Sequence, residues 1–462
     1  MEPFEIRGFN LCESILRHTP EQLRTFIRRM KELNMNTLIV HYDYGFKRYQ
    51  DIIIEECEKA NVEIILMTFG PRTFLSYTPW KTDWFAKKLD GTAYTERLEC
   101  DTYPCAFVPE VLEAYEYGAK QWLLSLPKEI KHVHMRAADN LLFCKCEKCR
   151  ELPDHEKWQP FVDIFVKAVQ ECRPDLKFET DVYVKRYNIP EHCESFHAMD
   201  NIMYDTFYRH TFYPIGSHED VMNKGSVRWA ATEPNPDAET PNEYHMNRLR
   251  EWTSKFPGKV YIHENAMAQS YFGNFQHSTA TYLEDMKLYR ELGIKGICYE
   301  AYEPGYAGFA EMFEILAKAM NGEEVDYVPT DIEQEMKKYP MNLFCNNPDF
   351  PIEQYIKEPV YLKHAELYRR YLLEPSADLY REYVRFAFDH EDVLDPIYIG
   401  FCMAQSGIKL EHLKFSGLSA QADDMLSRRK LWDFMEEIPH SENPREVCRK
   451  LIFELAEKAE DF

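Results

Sequence analysis

The strongest constraint on the fold is a repeated order of segments along about the first 320 residues. Eight short runs rich in apolar and β-branched residues occur there, and nearly all are followed by an amphipathic stretch. The runs cover residues 6–12, 37–41, 63–68, 132–136, 178–184, 202–206, 260–264 and 296–300. Regular alternation of strand and helix predicts a parallel sheet whose crossover connections are right-handed.

Eight strand-then-helix units favour a closed (β/α)8 TIM barrel. A doubly wound open sheet uses the same alternation, but no glycine-rich phosphate fingerprint follows the first run. The first helix has clear start signals, because Thr19, Pro20 and Gln22 supply an N-cap, a proline at the first helical position and a capping-box partner. We therefore predict an α/β fold with the barrel over residues 1–326.

Beyond residue 326 the pattern changes to helical segments only, at residues 332–338, 352–373, 377–388, 420–437 and 445–459. These segments predict an all-helical C-terminal region, residues 327–462, packed on the barrel. Two long irregular connections, residues 69–108 and 208–237, interrupt the alternation. In a barrel both would lie on the C-terminal face, where active sites are built.

Composition narrows the possible partners and the compartment. The chain carries 78 acidic and 55 basic residues, a formal charge of −23, which opposes binding to nucleic acid and to anionic membrane surfaces. No apolar run reaches the roughly 18 residues of a membrane span, and no signal-type apolar stretch follows Arg7. We expect a cytoplasmic protein whose 13 cysteines are mostly free thiols.

A cluster of cysteines follows the fourth run. Cys144, Cys146 and Cys149 form C-x-C-x-x-C, a spacing typical of zinc ligands, and a structural zinc needs four ligands. Cys105 precedes the third barrel helix, so the neighbouring loop can supply the fourth thiolate. We predict one structural zinc per chain on these four cysteines; the alternative is three reduced surface thiols without a metal. Other candidates for the fourth ligand are Cys100, His134 and His155.

This cysteine arrangement resembles the structural zinc site of the glycoside hydrolase family 42 β-galactosidases. In that family the motif closely follows an Asn-Glu pair whose Glu is the acid/base. Here the corresponding stretch contains Asp139, Asn140 and Leu141, and Leu141 stands at the place of that Glu. The resemblance implies a barrel glycosidase whose acid is supplied by a different residue.

The chain is more closely similar to the bacterial family called domain of unknown function 4838, found in carbohydrate-utilisation contexts. The resemblance rests on Asp139 shortly before C-x-C-x-x-C, on the segment 105–111, and on Gly293, Gly296 and Glu300 around the last strand. It spans residues 7–320 and is strongest over residues 105–150. It implies a glycosidase-type barrel without naming a substrate.

Polar residues at the C-terminal ends of barrel strands are the candidates for chemistry. Glycosidic cleavage needs two carboxyl groups across the scissile bond. We predict Asp139 as the acid, because its sequence neighbours are apolar, and Glu264 as nucleophile or base, with Glu300 as the substitute for Glu264. The predicted substrate-binding residues are His41, Asp43, Asn140, Asp205, Arg209, His210, His263, Tyr299 and Glu303.

Three functions are compatible with these features. The first is a glycoside hydrolase acting on an oligosaccharide or glycoside, supported by many aromatic residues in the predicted loops, which suit the C–H faces of sugars. The second is a catalytically silent carbohydrate-binding barrel, suggested by Leu141 at the place of the family acid. The third and weakest is a sugar isomerase or epimerase.

Overall fold

The computed structural model describes residues 1–11, 19–79, 81–94, 104–137, 143–207, 209–219, 238–265, 278–301, 310–337, 359–390, 413–420, 422–423 and 444–461. Eight parallel strands close into a barrel in sequence order, and the last strand pairs with the first. The predicted barrel is confirmed, and the open sheet is excluded. The strands are β1 (Ile6–Asn10), β2 (Thr37–His41), β3 (Glu63–Phe69), β4 (His132–Arg136), β5 (Lys177–Val182), β6 (Asn201–Asp205), β7 (Val260–Glu264) and β8 (Gly296–Glu300).

The observed strands differ from the predicted runs by at most two residues at either end. Closure depends on two glycines where β1 meets its neighbours. A Cβ at Gly8 would lie 2.2 Å from the Thr37 carbonyl oxygen, and one at Gly296 would lie 1.8 Å from the Ile6 carbonyl oxygen. The absence of a side chain therefore allows the backbones to approach at this seam.

Helices surround the barrel and connect its strands. Helix α1 begins as predicted, because the Thr19 hydroxyl accepts a hydrogen bond from the Gln22 amide and the Gln22 side chain accepts one from the Thr19 amide. The barrel helices are α1 (Pro20–Glu32), α2 (Lys47–Ala60), α3 (Gly70–Leu75), α4 (Pro109–Ser125), α5 (Asp154–Cys172), α6 (Glu194–Ala198), α7 (Pro241–Lys255), α8 (Thr279–Glu291) and α9 (Ala310–Met320).

The C-terminal region contains α10 (Asp331–Met336), α11 (Pro359–Leu373), α12 (Ala377–Asp389) and α13 (Pro444–Lys458), close to four of the five predicted helices. Most of the fifth, residues 420–437, lies outside the described residues. The region is not purely helical, because β9 (Leu413–Phe415) pairs antiparallel with β10 (Ala459–Asp461). These strands have three residues each, too short for a periodic pattern to reveal them.

Two hydrogen bonds connect α10 and its end to the barrel. The Tyr213 hydroxyl donates to the Lys337 carbonyl oxygen at 2.9 Å, and the Ala280 amide donates to Glu333 Oε1 at 3.1 Å. The domain boundary near residue 326 stays a prediction. Within the described part of the chain, no helix combines the length and the apolar character needed to cross a membrane.

Candidate functional site

The end of the barrel at which the strands have their C-termini is here called the mouth. Its interior is lined by polar side chains. Side chains alternate along a strand, and Ile39, Met67, Tyr261 and Cys298 belong to the apolar cluster inside the barrel. Residues two positions further along these strands point inward too. The inward-facing polar residues near the mouth are Asn10, His41, Arg136, Asp181, Asp205, His263 and Glu300, and all are buried.

A chain of hydrogen bonds crosses three of these strands. Asp205 Oδ2 lies 2.9 Å from His263 Nδ1, and His263 Nε2 lies 2.9 Å from the side-chain nitrogen of Asn10. The Asn10 nitrogen can only donate, so His263 Nε2 accepts and Nδ1 carries the proton that Asp205 accepts. The Asn265 side chain also donates to Asp205, at 2.6 Å. This arrangement holds the His263 imidazole in one orientation.

Arg136 forms the cationic part of the mouth. Its Nε lies 3.2 Å from Asp181 Oδ2, and Nη2 lies 3.9 Å from Asp205 Oδ2. Its guanidinium also stands 4.5 Å above the Tyr183 ring centroid. Asp181 receives a second cation, because Arg186 donates to it at 2.9 Å. Burial opposes ionisation of Asp181, but the two guanidinium groups outweigh it and lower the pKa of that carboxyl.

His41 differs from the other mouth residues in having no hydrogen-bond partner for either ring nitrogen among the described residues. Its ring stacks on Tyr44, with centroids 5.4 Å apart, and contacts Phe69 at 5.8 Å. Burial and the positive charge of Arg136 lower the pKa of His41 well below its usual value. A neutral imidazole with both nitrogens unpaired can donate to one ligand hydroxyl and accept from another.

Asp43 was predicted to bind substrate, and the structure places it in a turn that supports the site. Its carboxylate accepts hydrogen bonds from the Phe69 amide at 2.8 Å, from Thr68 Oγ1 at 3.0 Å and from Thr73 Oγ1. Gly45 gives this turn a left-handed residue, with φ of 90°. Asp43 thus joins the turn after β2 to the end of β3.

Glu264 ends β7 as predicted, but its side chain faces the helix layer, because it alternates with the inward-facing His263. It accepts hydrogen bonds from Thr206 Oγ1 at 2.9 Å and from the Tyr289 hydroxyl at 2.8 Å. Arg209 Nη2 lies 3.2 Å from the same carboxylate and 2.6 Å from Asp285 Oδ2 on α8. Glu264 and Arg209 are therefore parts of one buried network outside the barrel interior.

The other predicted site residues divide into three groups. Tyr299 faces outward and packs against Tyr282 and Phe313 in the helix layer. His210 is buried where the loop after β6 meets α7, and its ring contacts Tyr213 at 5.0 Å. Three predicted residues lie outside the described residues: Asp139, Asn140 and Glu303.

The sequence analysis missed three residues of the mouth, Asn10, Arg136 and Asp181. The predictions included only some of the polar residues at strand ends: Asn10 and Arg136 end β1 and β4, and Asp181 stands one residue before the end of β5. Counting back in steps of two from the predicted ends finds Asn10 from residue 12 and starts at Arg136, but from residue 184 it gives Val182 and misses Asp181. A charged residue in an apolar strand was the available signal, because such a residue needs a polar interior to face.

The four predicted cysteines come together at the loops after β3 and β4. The four sulfur atoms, of Cys105, Cys144, Cys146 and Cys149, all lie within 4.8 Å of one another. Cys105 Sγ is 3.9 Å from Cys146 Sγ and 3.7 Å from Cys149 Sγ. The Lys87 and Cys146 amides donate to Cys144 Sγ at 3.3 and 3.5 Å. Four clustered sulfurs with amide donors fit a tetrahedral tetrathiolate metal site.

The other residues considered as the fourth metal ligand are not part of the cysteine cluster in the described part of the chain. His134 faces the barrel interior, where its Nδ1 lies 2.8 Å from Glu179 Oε1. His155 Nε2 lies 3.5 Å from Glu156 Oε1, and Cys100 is outside the described residues. Cys105 is therefore the fourth member of the cluster in the described part of the chain.

Comparison with known proteins gives similarity at the level of architecture. No protein-family model and no curated protein matches the chain. Solved structures that resemble it include a β-N-acetylhexosaminidase, with 12% identity over 73% of this chain and 76% of that one and a TM-score of 0.41. An endo-β-1,4-mannanase from Thermotoga petrophila has 10% identity, coverage of 71% and 79%, and a TM-score of 0.38.

A β-galactosidase from Halorubrum lacusprofundi has 12% identity over 76% of this chain and 64% of that chain, with a TM-score of 0.43. These neighbours are glycosidase barrels, but identities and TM-scores this low do not assign a reaction. The function of this chain therefore has to follow from its own residues.

Proposed function

We propose that this protein is a glycoside hydrolase whose active site is the barrel mouth. The observation that carries the proposal is the inward orientation of two buried carboxyl groups, Asp205 on β6 and Glu300 on β8. Their strands are two apart, and two strand spacings separate the backbones by about 10 Å. Side chains that point inward converge, which suits the roughly 5 to 9.5 Å that glycosidic cleavage uses.

Each carboxyl group has a proposed role. Asp139, in the loop after β4, remains our proposed acid and would protonate the glycosidic oxygen. Glu300 takes the nucleophile or base role in place of Glu264, because Glu264 faces the helix layer. Asp205 orients His263 through the hydrogen bond between them, so we place this pair in substrate binding, and we retain Asp205 as the carboxylate that would pair with Glu300 in place of Asp139.

The surroundings of these groups suit a sugar. Both ring nitrogens of His41 lack a hydrogen-bond partner among the described residues and can bind ligand hydroxyls, and the Phe69 and Tyr183 rings lie beside Arg136. Sugars combine hydroxyl groups with apolar C–H faces, and a site with few polar groups among aromatic rings matches that combination. The substrate we propose is an oligosaccharide or glycoside.

The test is a comparison of turnover on a panel of aryl glycosides and purified oligosaccharides. We expect Glu300→Gln and Asp139→Asn each to lower kcat by about 100-fold or more, the usual value of general acid/base help. Glu311→Gln is the matched control, since Glu311 is exposed at the start of the helix that follows β8. A loss below about tenfold would remove the residue concerned from the mechanism.

A silent carbohydrate-binding barrel is the second candidate. One observation favours it: the mouth carboxylates Asp181 and Asp205 already accept hydrogen bonds from Arg186 and Asn265. Binding of an oligosaccharide in calorimetry, together with no cleavage of any panel member, would support this candidate over the hydrolase.

For the cysteine cluster we propose a structural zinc. Four protein thiolates would complete a tetrahedral shell and leave no position for water, so the metal would supply no chemistry to the mouth. When bound, it would join the loop after β3 to the loop after β4. The proposed acid Asp139 belongs to the second of these loops.

A further inference from the structure

We infer that this protein has an oxyanion-binding site formed by Lys145, Lys157 and Lys185 around Asp154, suited to a phosphate or sulfate group. The three lysines come from separate segments. Lys145 belongs to the loop of the cysteine cluster, Lys157 to the first turns of α5, and Lys185 to the segment after β5. This lysine cluster is independent of the proposed glycosidase chemistry.

The lysine cluster is compact. Lys157 Nζ donates to Asp154 Oδ1 at 2.6 Å, and Lys145 Nζ lies 3.6 Å from the same oxygen. Lys185 Nζ lies 3.4 Å from the other oxygen, Oδ2. The Lys157 and Asp154 side chains are 4% and 9% exposed, whereas Lys145 is 34% exposed. The site is thus buried at its base and open to solvent at Lys145.

Among the described residues, the charges of Lys145, Lys157 and Asp154 do not balance. Lys145 and Lys157 share a single carboxylate oxygen, so these two ammonium groups lie within about 6 Å of each other with one negative charge between them. Like charges this close, and partly removed from water, repel each other. This excess of positive charge is local, since the chain as a whole carries a charge of −23. A bound oxyanion would offset it.

The location connects the lysine cluster with the barrel mouth. Loops that follow β4 and β5 lie on the mouth side of a barrel. Lys185 is followed directly by Arg186, which donates to the inward-facing Asp181. Lysine binds phosphate as a mobile point charge, and several lysines together can surround a tetrahedral oxyanion. The ligand is therefore either a free oxyanion or the phosphate or sulfate group of a larger molecule.

Isothermal titration of the full-length protein with inorganic phosphate at low ionic strength tests the inference. We expect saturable binding that Lys145→Gln weakens at least about tenfold, the effect of losing one charge-assisted contact. Lys148→Gln is the control: Lys148 is exposed in the same loop and forms no ion pair with a described residue. Lys185→Gln, remote in sequence from the cysteines, should weaken binding as well.

The Asp154→Asn substitution should change phosphate affinity in the opposite direction from the lysine substitutions. Removing Asp154, the one carboxylate that the described residues place in the cluster, should tighten phosphate binding several-fold, whereas a purely structural ion pair would give no phosphate binding in any variant. Absence of saturable binding, or equal affinity in Lys145→Gln and Lys148→Gln, would overturn the inference. Glucose 6-phosphate, compared with phosphate and with glucose, identifies the source: tighter binding than inorganic phosphate indicates a sugar-borne group, and equal binding a free oxyanion.

Discussion

At the scale of single residues, the side of a strand that a residue occupies decides its role. His263 and Glu264 are neighbours at the end of β7, yet His263 contacts Asp205 and Asn10 inside the barrel, and Glu264 contacts Tyr289 in the helix layer. The local sequence gives both a polar character. Their opposite environments follow from the alternation of side chains along the strand.

We predict that Glu264→Gln lowers stability more than catalysis. The substitution removes a buried charge that Arg209 and two hydroxyl groups surround, so the free energy of unfolding should fall by about 2 kcal/mol or more in urea denaturation. Tyr289→Phe, which removes one bond to the same carboxylate, should lower it by about 1 kcal/mol. A 100-fold loss of turnover in Glu264→Gln at unchanged stability would return Glu264 to the catalytic pair.

A second prediction at this scale concerns His132, which lies deeper in the barrel beside Glu179. Burial alone lowers the pKa of His132, but the Glu179 carboxylate 3.0 Å away outweighs it and raises the pKa to about 9. The imidazolium therefore contributes stability that is complete below about pH 6.5 and is lost as the pH rises to about 9. This shift corresponds to about 3 kcal/mol.

The measurement is the free energy of unfolding from urea titrations between pH 6 and pH 10. His132→Asn should be less stable and should lack the decline across that interval. His245→Asn is the comparison, because burial lowers the pKa of His245 to about 4 and keeps the ring neutral over the whole range. An equal decline in His132→Asn would show that another group titrates.

At the scale of secondary-structure elements, the cysteine cluster brings together the loops that follow β3 and β4. The Lys145 amide donates to the Lys87 carbonyl oxygen at 2.7 Å, which is one direct link between them. The spacing of the cysteines predicted three ligands, and the order of strands in a barrel predicted that Cys105 would reach them. Both loops belong to the mouth side of the barrel.

We expect one zinc per chain in elemental analysis of purified protein. Cys146→Ser should reduce the zinc content and lower Tm, because the loss of one thiolate opens the tetrahedral shell. Hydrogen exchange should increase in residues 104–108 and 143–153 and remain unchanged in the barrel strands. A zinc content well below one per chain in the unaltered protein would contradict the prediction.

At the scale of the whole molecule, we predict that the C-terminal helices pack on the barrel. Leu367, Tyr371, Tyr380 and Tyr383 are buried and belong to the same apolar cluster as the residues beneath the barrel helices. Burial of large apolar side chains is the main stabilising contribution to such a contact. The region therefore has a stabilising role in our interpretation, without chemistry of its own.

We predict that a chain ending at Val328 loses solubility and stability, since it would expose the barrel surface that the C-terminal region covers. Gel filtration and thermal unfolding of the shortened protein measure both effects. The separately produced C-terminal region should show no glycosidase activity. A shortened chain that stays soluble, folded and fully active would contradict the proposed packing.

The sequence by itself determined the eight strands, the capping box of α1 and the membership of the cysteine cluster. Each depends on local patterns: short apolar runs, an N-cap with its partner three residues on, and closely spaced thiols with one more in the adjacent loop. These signals are readable because they involve residues near one another in the chain or in neighbouring units of a regular repeat.

Only the tertiary structure decided which polar residues meet. A strand's period of two divides its side chains into two sets, but both sets of a barrel strand are buried, so hydrophobicity does not tell which set faces inward. The closure of β8 onto β1 and the register of the neighbouring strands settle it. For this reason Asn10, Arg136 and Asp181 line the mouth, whereas Glu264, the carboxylate predicted from its position at a strand end, faces the helices.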